Sequence, residues 1–287
     1  MIFRKIMPLM AVVGSILMYG CSQQEESSQQ EPPSDSIVFV AYNGKASYSL
    51  QNSAQDFSTE KDIVFSGESS IMLPEEVFGH DVKPLRQQIL RAAYDTVTSD
   101  PIAAMHSCFK SDAMMVGYDV ALVDSTSHRG APSLEPDHLV DTEFADGQAI
   151  IVGNVYSLTT KLLTYRVSHY VYMPRSAHGM TTNQYITYYL PQERVLAMAD
   201  MFTVEGMEQL PPVIAARAKE QQAQLGPTDI EALPANGDFI IDLNGCVHFI
   251  YQPYEVASYA QGEIHVPFYP YELQDYFTPT AKEIFGL

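Results

Sequence analysis

The chain has 287 residues, 46% of them hydrophobic, which is enough to build a sizeable core in one large or two modest domains. It contains 16 basic and 35 acidic residues, a formal net charge of −19 at pH 7. Such a surface argues against nucleic acid as a partner and attracts cationic partners by long-range steering. Acidity also keeps a protein in solution without any particular partner, and the sequence leaves that second interpretation open.

The first 20 residues are typical of a secretory signal. A short basic region precedes an apolar run over residues 6–19, which is too short for a stable membrane span. The run is followed by Cys21, and this ending resembles a bacterial lipoprotein signal, in which Cys21 becomes the lipidated first residue. Residues 21–36 are polar and interrupted by two prolines, so they predict a disordered tether. The alternative is an ordinary signal that is cleaved elsewhere.

Lipid on Cys21 is the predicted means of membrane attachment, because each buried methylene contributes about 0.8 kcal/mol and several acyl chains form a stable anchor. Ser22, rather than an aspartate, follows the cysteine. By analogy with lipoprotein sorting in bacteria that have two membranes, this favours the outer membrane. We therefore expect a lipid-anchored protein of the cell envelope, facing the periplasm or the cell surface.

The first half of the chain predicts strands and two helices. Asn43 and Gly44 form a predicted turn after the first strand. A helix is predicted over residues 82–98, where apolar residues recur every three or four positions, and a shorter one over residues 101–109. Alternating apolar residues predict strands at residues 37–42, 63–65, 70–73 and 114–122.

Residues 124–138 predict a long polar loop with two prolines and a glycine. A helix is predicted over residues 204–224, in which Pro211 and Pro212 fit only the opening turn. A closing helical turn is predicted at residues 280–285. Further strands are predicted at residues 144–155, 162–172 and 185–190.

The most informative run covers residues 246–273 and the strand just before it. Asn244-Gly245 is a strong hairpin signal, and Pro253 and Pro270 end the second and third strands. The residues that alternate toward a buried face are Phe239, Ile241 and Leu243, then Val247, Phe249 and Tyr251, then Ile264, Val266 and Phe268. Three consecutive antiparallel strands are therefore predicted.

Strands predominate along the chain, and the helices are grouped rather than alternating with them. This pattern predicts an α+β fold with mainly antiparallel sheets, a few helices packed on them and two subdomains. We predict an N-terminal domain over residues 37–164 and a C-terminal domain over residues 165–287.

Two blocks of residues in the C-terminal region have a recognisable order and spacing. They are Ala177-His178-Gly179, Tyr185 to Tyr189 and Ala199-Asp200-Met201-Phe202 in the first, and Phe249, Pro253-Tyr254-Glu255-Val256-Ala257, Tyr259-Ala260, Gly262, Val266-Pro267-Phe268 and Tyr271-Glu272-Leu273 in the second. On these residues the region resembles the RsiV-type domain of bacterial envelope proteins, which forms the outer part of RsiV-like anti-sigma factors and the non-catalytic part of PdaC-like peptidoglycan deacetylases. Residues 37–164 resemble, without a defined motif, the domain that often precedes it.

The resemblance implies a binding or sensing domain, because relatives recognise cationic wall-attacking enzymes such as lysozyme. The candidate binding residues lie within the resembling blocks and are His178, Tyr254, Glu255, Tyr259 and Gly262. A structural role for the same residues, with the tyrosines pinning a loop and Glu255 accepting backbone donors, is the alternative. A cell-wall component is an alternative partner.

No common catalytic motif occurs, so we predict no catalytic residue, no metal and no cofactor. His248 and His265 alternate with apolar residues on adjacent strands, so two interpretations are open. In one they face each other across the sheet as a zinc or acid–base pair, and in the other they are solvent-facing or hydrogen-bonded histidines on its polar side. Cys108 and Cys246 are predicted either to form a disulfide or to remain free thiols. Two further alternatives stay open: a glycan-modifying enzyme or accessory factor with an unrecognised site, and a structural lipoprotein.

Overall fold

The computed structural model describes residues 35–51, 63–96, 98–116, 119–130, 146–174, 176–220, 233–235 and 238–287. The predicted leader, the predicted lipidation site Cys21 and nearly all of the predicted tether lie outside these ranges. Within them, no helix is both long enough and apolar enough to cross a bilayer.

A seven-stranded sheet runs through the first two thirds of the chain, in the order β3-β1-β2-β4-β5-β6-β7. Every neighbouring pair is antiparallel except β2 and β4, which are parallel. The strands are β1 (Ile37–Gln51), β2 (Ile63–Val77), β3 (Asp119–Gly130), β4 (Gly147–Leu158), β5 (Leu162–Tyr172), β6 (Met180–Tyr189) and β7 (Arg194–Val195).

The two glycines near the start of the sheet lie within strands rather than in turns. The turn predicted at Asn43-Gly44 is wrong, because β1 continues through it and Gly44 pairs with Ser69 of β2. The separate strands predicted around Gly67 are likewise one strand. A Cβ atom on Gly67 would lie 2.2 Å from Cγ of Phe109, so the glycine makes room for a helix side chain.

Two helices cover one face of this sheet, α1 (Lys83–Tyr94) and α2 (Pro101–Val116). The helix predicted over residues 82–98 is confirmed, with Pro84 in its first turn. The second helix is longer than predicted, so the first part of the strand predicted at residues 114–122 is helical. Residues 124–130 of the predicted polar loop belong to β3, because they pair with β1, and residues 131–138 lie outside the described ranges.

The three consecutive strands predicted near the C-terminus are confirmed, but the first ends at Ile241, so the prediction that Leu243 continues its buried face is wrong and Leu243 is exposed. They form a separate antiparallel sheet in the order β10-β9-β8. Gly245 turns the β8–β9 hairpin at φ 79°, as the hairpin signal predicts. The strands are β8 (Asp238–Ile241), β9 (Val247–Tyr251) and β10 (Ile264–Phe268).

Four helices pack with this small sheet. The prediction that Pro211 and Pro212 fit only an opening turn is wrong, because both lie inside one continuous helix. The carbonyl of Pro211 accepts a hydrogen bond from the backbone of Leu233 at 3.0 Å, so the chain beyond the helix returns to it. The helices are α3 (Met198–Met201), α4 (Val204–Glu220), α5 (Pro270–Leu273) and α6 (Pro279–Phe285).

The molecule has two hydrophobic cores, and β5 and β6 contribute to both. The first core lies between the large sheet and α1 and α2, and it includes Leu163 and Tyr188. The second core lies between the small sheet and the later helices, and it includes Leu162 and Tyr189. Successive side chains of a strand point to opposite faces, so these neighbouring residues enter different cores.

The predicted α+β class with mainly antiparallel sheets is confirmed. The predicted division between residues 164 and 165 falls within β5 and stays a prediction.

Candidate functional site

The crossover that joins β9 to β10, residues 252–263, is held by its own hydrogen bonds. The Glu255 carboxylate accepts the backbone N–H of Gln252 at 2.9 Å, and the backbone N–H of Tyr254 donates to the Ala257 carbonyl at 3.1 Å. Tyr254 has a left-handed backbone with φ 69°, a conformation that costs a non-glycine residue about 1–2 kcal/mol. Strain of this kind persists where the surrounding structure enforces it.

Three aromatic side chains form a stack on this crossover, which we call the aromatic stack: His178, Tyr259 and Tyr254. The Tyr259 ring lies between the other two, with centroids 4.1 Å from His178 and 5.8 Å from Tyr254. The Tyr259 hydroxyl donates to the Gly179 carbonyl at 2.8 Å, which fixes the central ring. Tyr254 remains 59% exposed. The stack is therefore a rigid surface feature.

The structure thus brings together three of the five predicted binding residues, His178, Tyr254 and Tyr259, at the molecular surface. Glu255 lies next to Tyr254 on the same crossover and is exposed. Gly262 is different, because it has φ 68° at the end of the crossover and acts as a turn residue.

Beside the crossover lies a second group of side chains, which we call the histidine–carboxylate cluster: Asp242, His248, Glu263, His265 and Tyr185. The Nε2 atom of His248 lies 3.1 Å from the Asp242 carboxylate, and Nε2 of His265 contacts the Glu263 carboxylate. The two imidazole rings face each other edge to face, with centroids 5.9 Å apart. This is the cross-strand arrangement that the alternation in β9 and β10 predicted as one of its alternatives.

Glu263 is the acceptor that holds the cluster together. Its carboxylate accepts the Tyr185 hydroxyl at 2.7 Å and the Asn183 amide at 3.0 Å, both from β6. Burial acts to raise the pKa of Glu263, but the bonds from His265, Tyr185 and Asn183 outweigh it and lower the pKa. Burial and the bond to Glu263 raise the pKa of Tyr185. At neutral pH the carboxylate is therefore charged and the phenol is protonated.

The Asp242–His248 pair is tied to the hairpin in the same manner. Burial acts to raise the pKa of Asp242, but the backbone N–H groups of Cys246 and Asn244 and the His248 ring outweigh it, so the pKa is lowered. Burial lowers the pKa of His248 despite its carboxylate partner. The Nδ1 atom of His248 is buried without a hydrogen-bond partner in the part of the chain that the structure describes.

Gln252 links the cluster to the crossover. Its side-chain amide donates to the Asn183 carbonyl at 2.7 Å, and its side-chain oxygen accepts the Asn183 N–H at 2.9 Å. Among the described residues, no three or more His, Cys, Asp or Glu side chains are arranged to hold a metal ion. The hydrogen bonds of Gln252 and Glu263 to β6 order the crossover beside the aromatic stack.

The disulfide predicted as one alternative for Cys108 and Cys246 is not formed, and both are free thiols. Cys108 lies in α2 against the first core, whereas Cys246 lies beside the β8–β9 turn. The two cysteines thus belong to different parts of the fold.

Sequence reasoning missed Glu263, Asn183, Gln252 and the role of Tyr185. Glu263 immediately precedes β10 and lies two residues before His265, a spacing that places both side chains on one face of an extended chain and is a local signal for this pair. Asn183 and Tyr185 come from β6, and nothing local to either strand indicates that β6 meets β10.

The described residues thus define an α+β protein with a seven-stranded and a three-stranded sheet. Residues 199–269, which include the small sheet and the crossover, match the profile of a family described as a protein of unknown function, DUF3298. No curated protein matches the chain.

Two solved structures of that family are similar to this chain. A DUF3298 family member from Bacteroides fragilis NCTC 9343 has a TM-score of 0.60 at 17% identity, with 88% of this chain and 98% of that chain covered. A DUF3298 family protein from Pseudomonas aeruginosa PAO1 has a TM-score of 0.47 at 15% identity, with 88% and 97% covered. The first likeness shows a shared fold.

Proposed function

We propose that this chain is a lipid-anchored cell-envelope protein whose crossover surface docks a cationic protein, such as a lysozyme-type enzyme that attacks the cell wall. The observation that carries this proposal is the aromatic stack, which lies at the surface beside the exposed Glu255 carboxylate. The net charge of −19 supports it, because it steers positively charged proteins toward the molecule.

Exposed aromatic rings are suited to this task. An Arg or Lys side chain that lies over a tyrosine ring gains about 0.5–1 kcal/mol at an exposed site. Glu255 adds an ionic partner next to Tyr254. The stack is fixed by the Tyr259–Gly179 hydrogen bond and by the ordered crossover, so little side-chain entropy is lost on binding.

The anchor and the location rest on the sequence. The apolar leader ending at Cys21 supports lipidation, and the serine that follows supports the outer membrane. The resemblance to the RsiV-type domain supports both an envelope location and a binding role. Within this proposal, the tether over residues 21–36 sets the distance between the folded part and the membrane.

The docking proposal is tested with the full chain in detergent and lysozyme as the probe, by biolayer interferometry. Binding is expected at about 10 mM salt and is expected to weaken strongly at about 1 M salt, because the Debye length falls from about 30 Å to about 3 Å. Tyr254→Ala is expected to lower the affinity about tenfold, which corresponds to about 1.4 kcal/mol.

The matched control is Tyr271→Ala. Tyr271 is 61% exposed and is stacked on another tyrosine, but it lies in α5 outside the crossover. This variant is expected to bind like the wild type. Equal affinities for Tyr254→Ala and the wild type, or binding that does not respond to salt, would remove the docking proposal and favour a structural lipoprotein.

The anchor is tested separately by mass spectrometry of the mature N-terminus in a bacterial host. We expect a lipidated Cys21 and a protein in the membrane fraction, and a Cys21→Ser variant in the soluble fraction. An unmodified N-terminus at another residue would contradict the anchor and leave the docking surface intact.

A further inference from the structure

A pocket of about 420 Å³ lies on the opposite side of β5 from the second core, between α1, α2 and the strands β4 to β6. This volume falls within the range of about 300–1,000 Å³ that is typical of small-molecule sites. The polar side chains that line it include six from four separate elements, Gln88, Arg91, Cys108, Asp112, His169 and Gln184.

The inner part of the pocket holds three titratable groups. Cys108 Sγ lies 3.8 Å from the Asp112 carboxylate, one helical turn away in α2. Burial, followed by the nearby Asp112, raises the pKa of Cys108 to about 12, and burial lowers the pKa of His169. Both groups are therefore uncharged at neutral pH.

The orientation of His169 leaves one ring nitrogen free to bind a ligand. Its Nε2 atom lies 2.9 Å from the Ala92 carbonyl, which accepts a hydrogen bond from it. The neutral ring then carries its proton on Nε2, and Nδ1 is an acceptor. Burial also raises the pKa of Asp112, whose carboxyl oxygens offer further acceptors.

The mouth of the pocket carries charges of both signs. Arg91 is exposed on α1, and Asp95, which ends the same helix with a left-handed backbone, lies at the same opening. Gln88 and Gln184 add two amides that each donate and accept. A charged ligand of either sign would meet one like and one opposite charge here, so the mouth favours neither sign, and its two amides suit a neutral polar ligand.

We propose that this pocket binds a neutral polyhydroxylated ligand, a single pyranose or a disaccharide. Each sugar hydroxyl both donates and accepts, and planar guanidinium, amide, imidazole and carboxyl groups present paired sites for such hydroxyls. Ala92, Ala149 and Ile151 supply an apolar patch in the same pocket for the C–H face of the ring. The proposal is independent of the docking surface, since no residue of the aromatic stack lines the pocket.

Calorimetric titration of the full chain with glucose, N-acetylglucosamine and its disaccharide tests the proposal, with glucuronic acid and glucosamine as charged probes. We expect saturable binding of at least one neutral probe, with a Kd on the order of 1 mM, and weaker binding of its charged relative. Arg91→Ala and Gln184→Ala, at exposed positions of the mouth, are each expected to lower the affinity about fivefold to tenfold. Gln87→Ala, exposed on α1 outside the pocket, is the matched control and is expected to bind normally.

Thermodynamic linkage gives an independent readout, because a ligand that binds only the folded chain stabilises it. A neutral sugar at about ten times its Kd is expected to raise the urea midpoint of the wild type, and to raise that of Arg91→Ala by less. No saturable binding by any neutral probe would overturn the proposal. So would tighter binding of the charged probes, an affinity that neither mouth variant alters, or a urea midpoint that the sugar shifts equally in the wild type and in Arg91→Ala.

Discussion

The two sheets of this protein are held in different ways. The large sheet is built on long ladders, since β1 and β2 each have 15 residues and pair along most of their length. The small sheet has strands of only four and five residues. Side chains such as the carboxylate of Glu263 and the ring of His248 add hydrogen bonds around these short strands.

This difference accounts for where the candidate chemistry lies. The residues that flank a short strand do not take part in the backbone hydrogen bonding between strands. Their backbone N–H and C=O groups must therefore find other partners, including side chains. The β9–β10 crossover is such a region, and its network also fixes the exposed rings. Along the large sheet, polar groups collect instead where the helices leave a gap, at the pocket beneath α1 and α2.

The largest expected effect comes from a large-to-small substitution in either core, and it tests whether the two cores unfold together. Phe65→Ala in the first core and Phe249→Ala in the second are each expected to lower the free energy of unfolding by about 3–5 kcal/mol. Because β5 and β6 belong to both cores, each variant should still unfold in one transition. Urea denaturation, monitored by circular dichroism and tyrosine fluorescence, measures this. Leu243→Ala, at a 66% exposed position, is the control. Two separate transitions would instead support independent domains divided near residue 164.

A smaller loss is expected when the polar network of the small sheet is cut. Glu263→Ala removes the acceptor for His265, Tyr185 and Asn183 and leaves their donors without it, so it should cost about 2–3 kcal/mol of unfolding free energy. Glu220→Ala, at a 72% exposed side chain, is expected to change stability by less than about 0.5 kcal/mol. Equal effects of the two variants, measured by urea denaturation, would show that the network does not hold the sheet.

Both regions contain a histidine whose pKa is lowered by burial, His169 beside α1 and His248 in β9. Below about pH 6.5 the unfolded chain binds protons that the folded chain does not, so stability falls as the pH falls. Urea denaturation between about pH 7.5 and about pH 5 should show this loss. The free energy of unfolding should depend less steeply on pH in His169→Asn and in His248→Asn than in the wild type. A pH dependence that neither variant alters would show that these histidines do not cause it.

The smallest effect concerns the strained residue of the crossover. Tyr254→Gly relieves the left-handed backbone but loses the contact with the Tyr259 ring, so stability should change by less than about 0.5 kcal/mol. Tyr254→Ala keeps the strain and loses the same contact, and it should be less stable than the glycine variant by about 1 kcal/mol. If urea denaturation gives the same free energy of unfolding for Tyr254→Ala and Tyr254→Gly, the backbone at this position is not strained.

Several features were predictable from short-range patterns. Alternation alone identified β9 and β10 and placed His248 and His265 on one face, because a strand repeats every two residues. The apolar spacing and Pro84 identified α1, because a helix repeats every 3.6 residues and tolerates proline in its first turn. These signals are local, and local sterics produce them whatever the rest of the chain does.

Other features depended on contacts between residues far apart in the chain. Gly44 and Gly67 look like turn residues until Met105 and Phe109 are seen to pack over them. Glu263 receives its donors from β6, and the pocket exists only where α1, α2 and three strands meet. Local sequence patterns do not predict these contacts between residues that are far apart in the chain. The free energy that stabilises such contacts comes from packing and hydrogen bonding that form only when the chain folds.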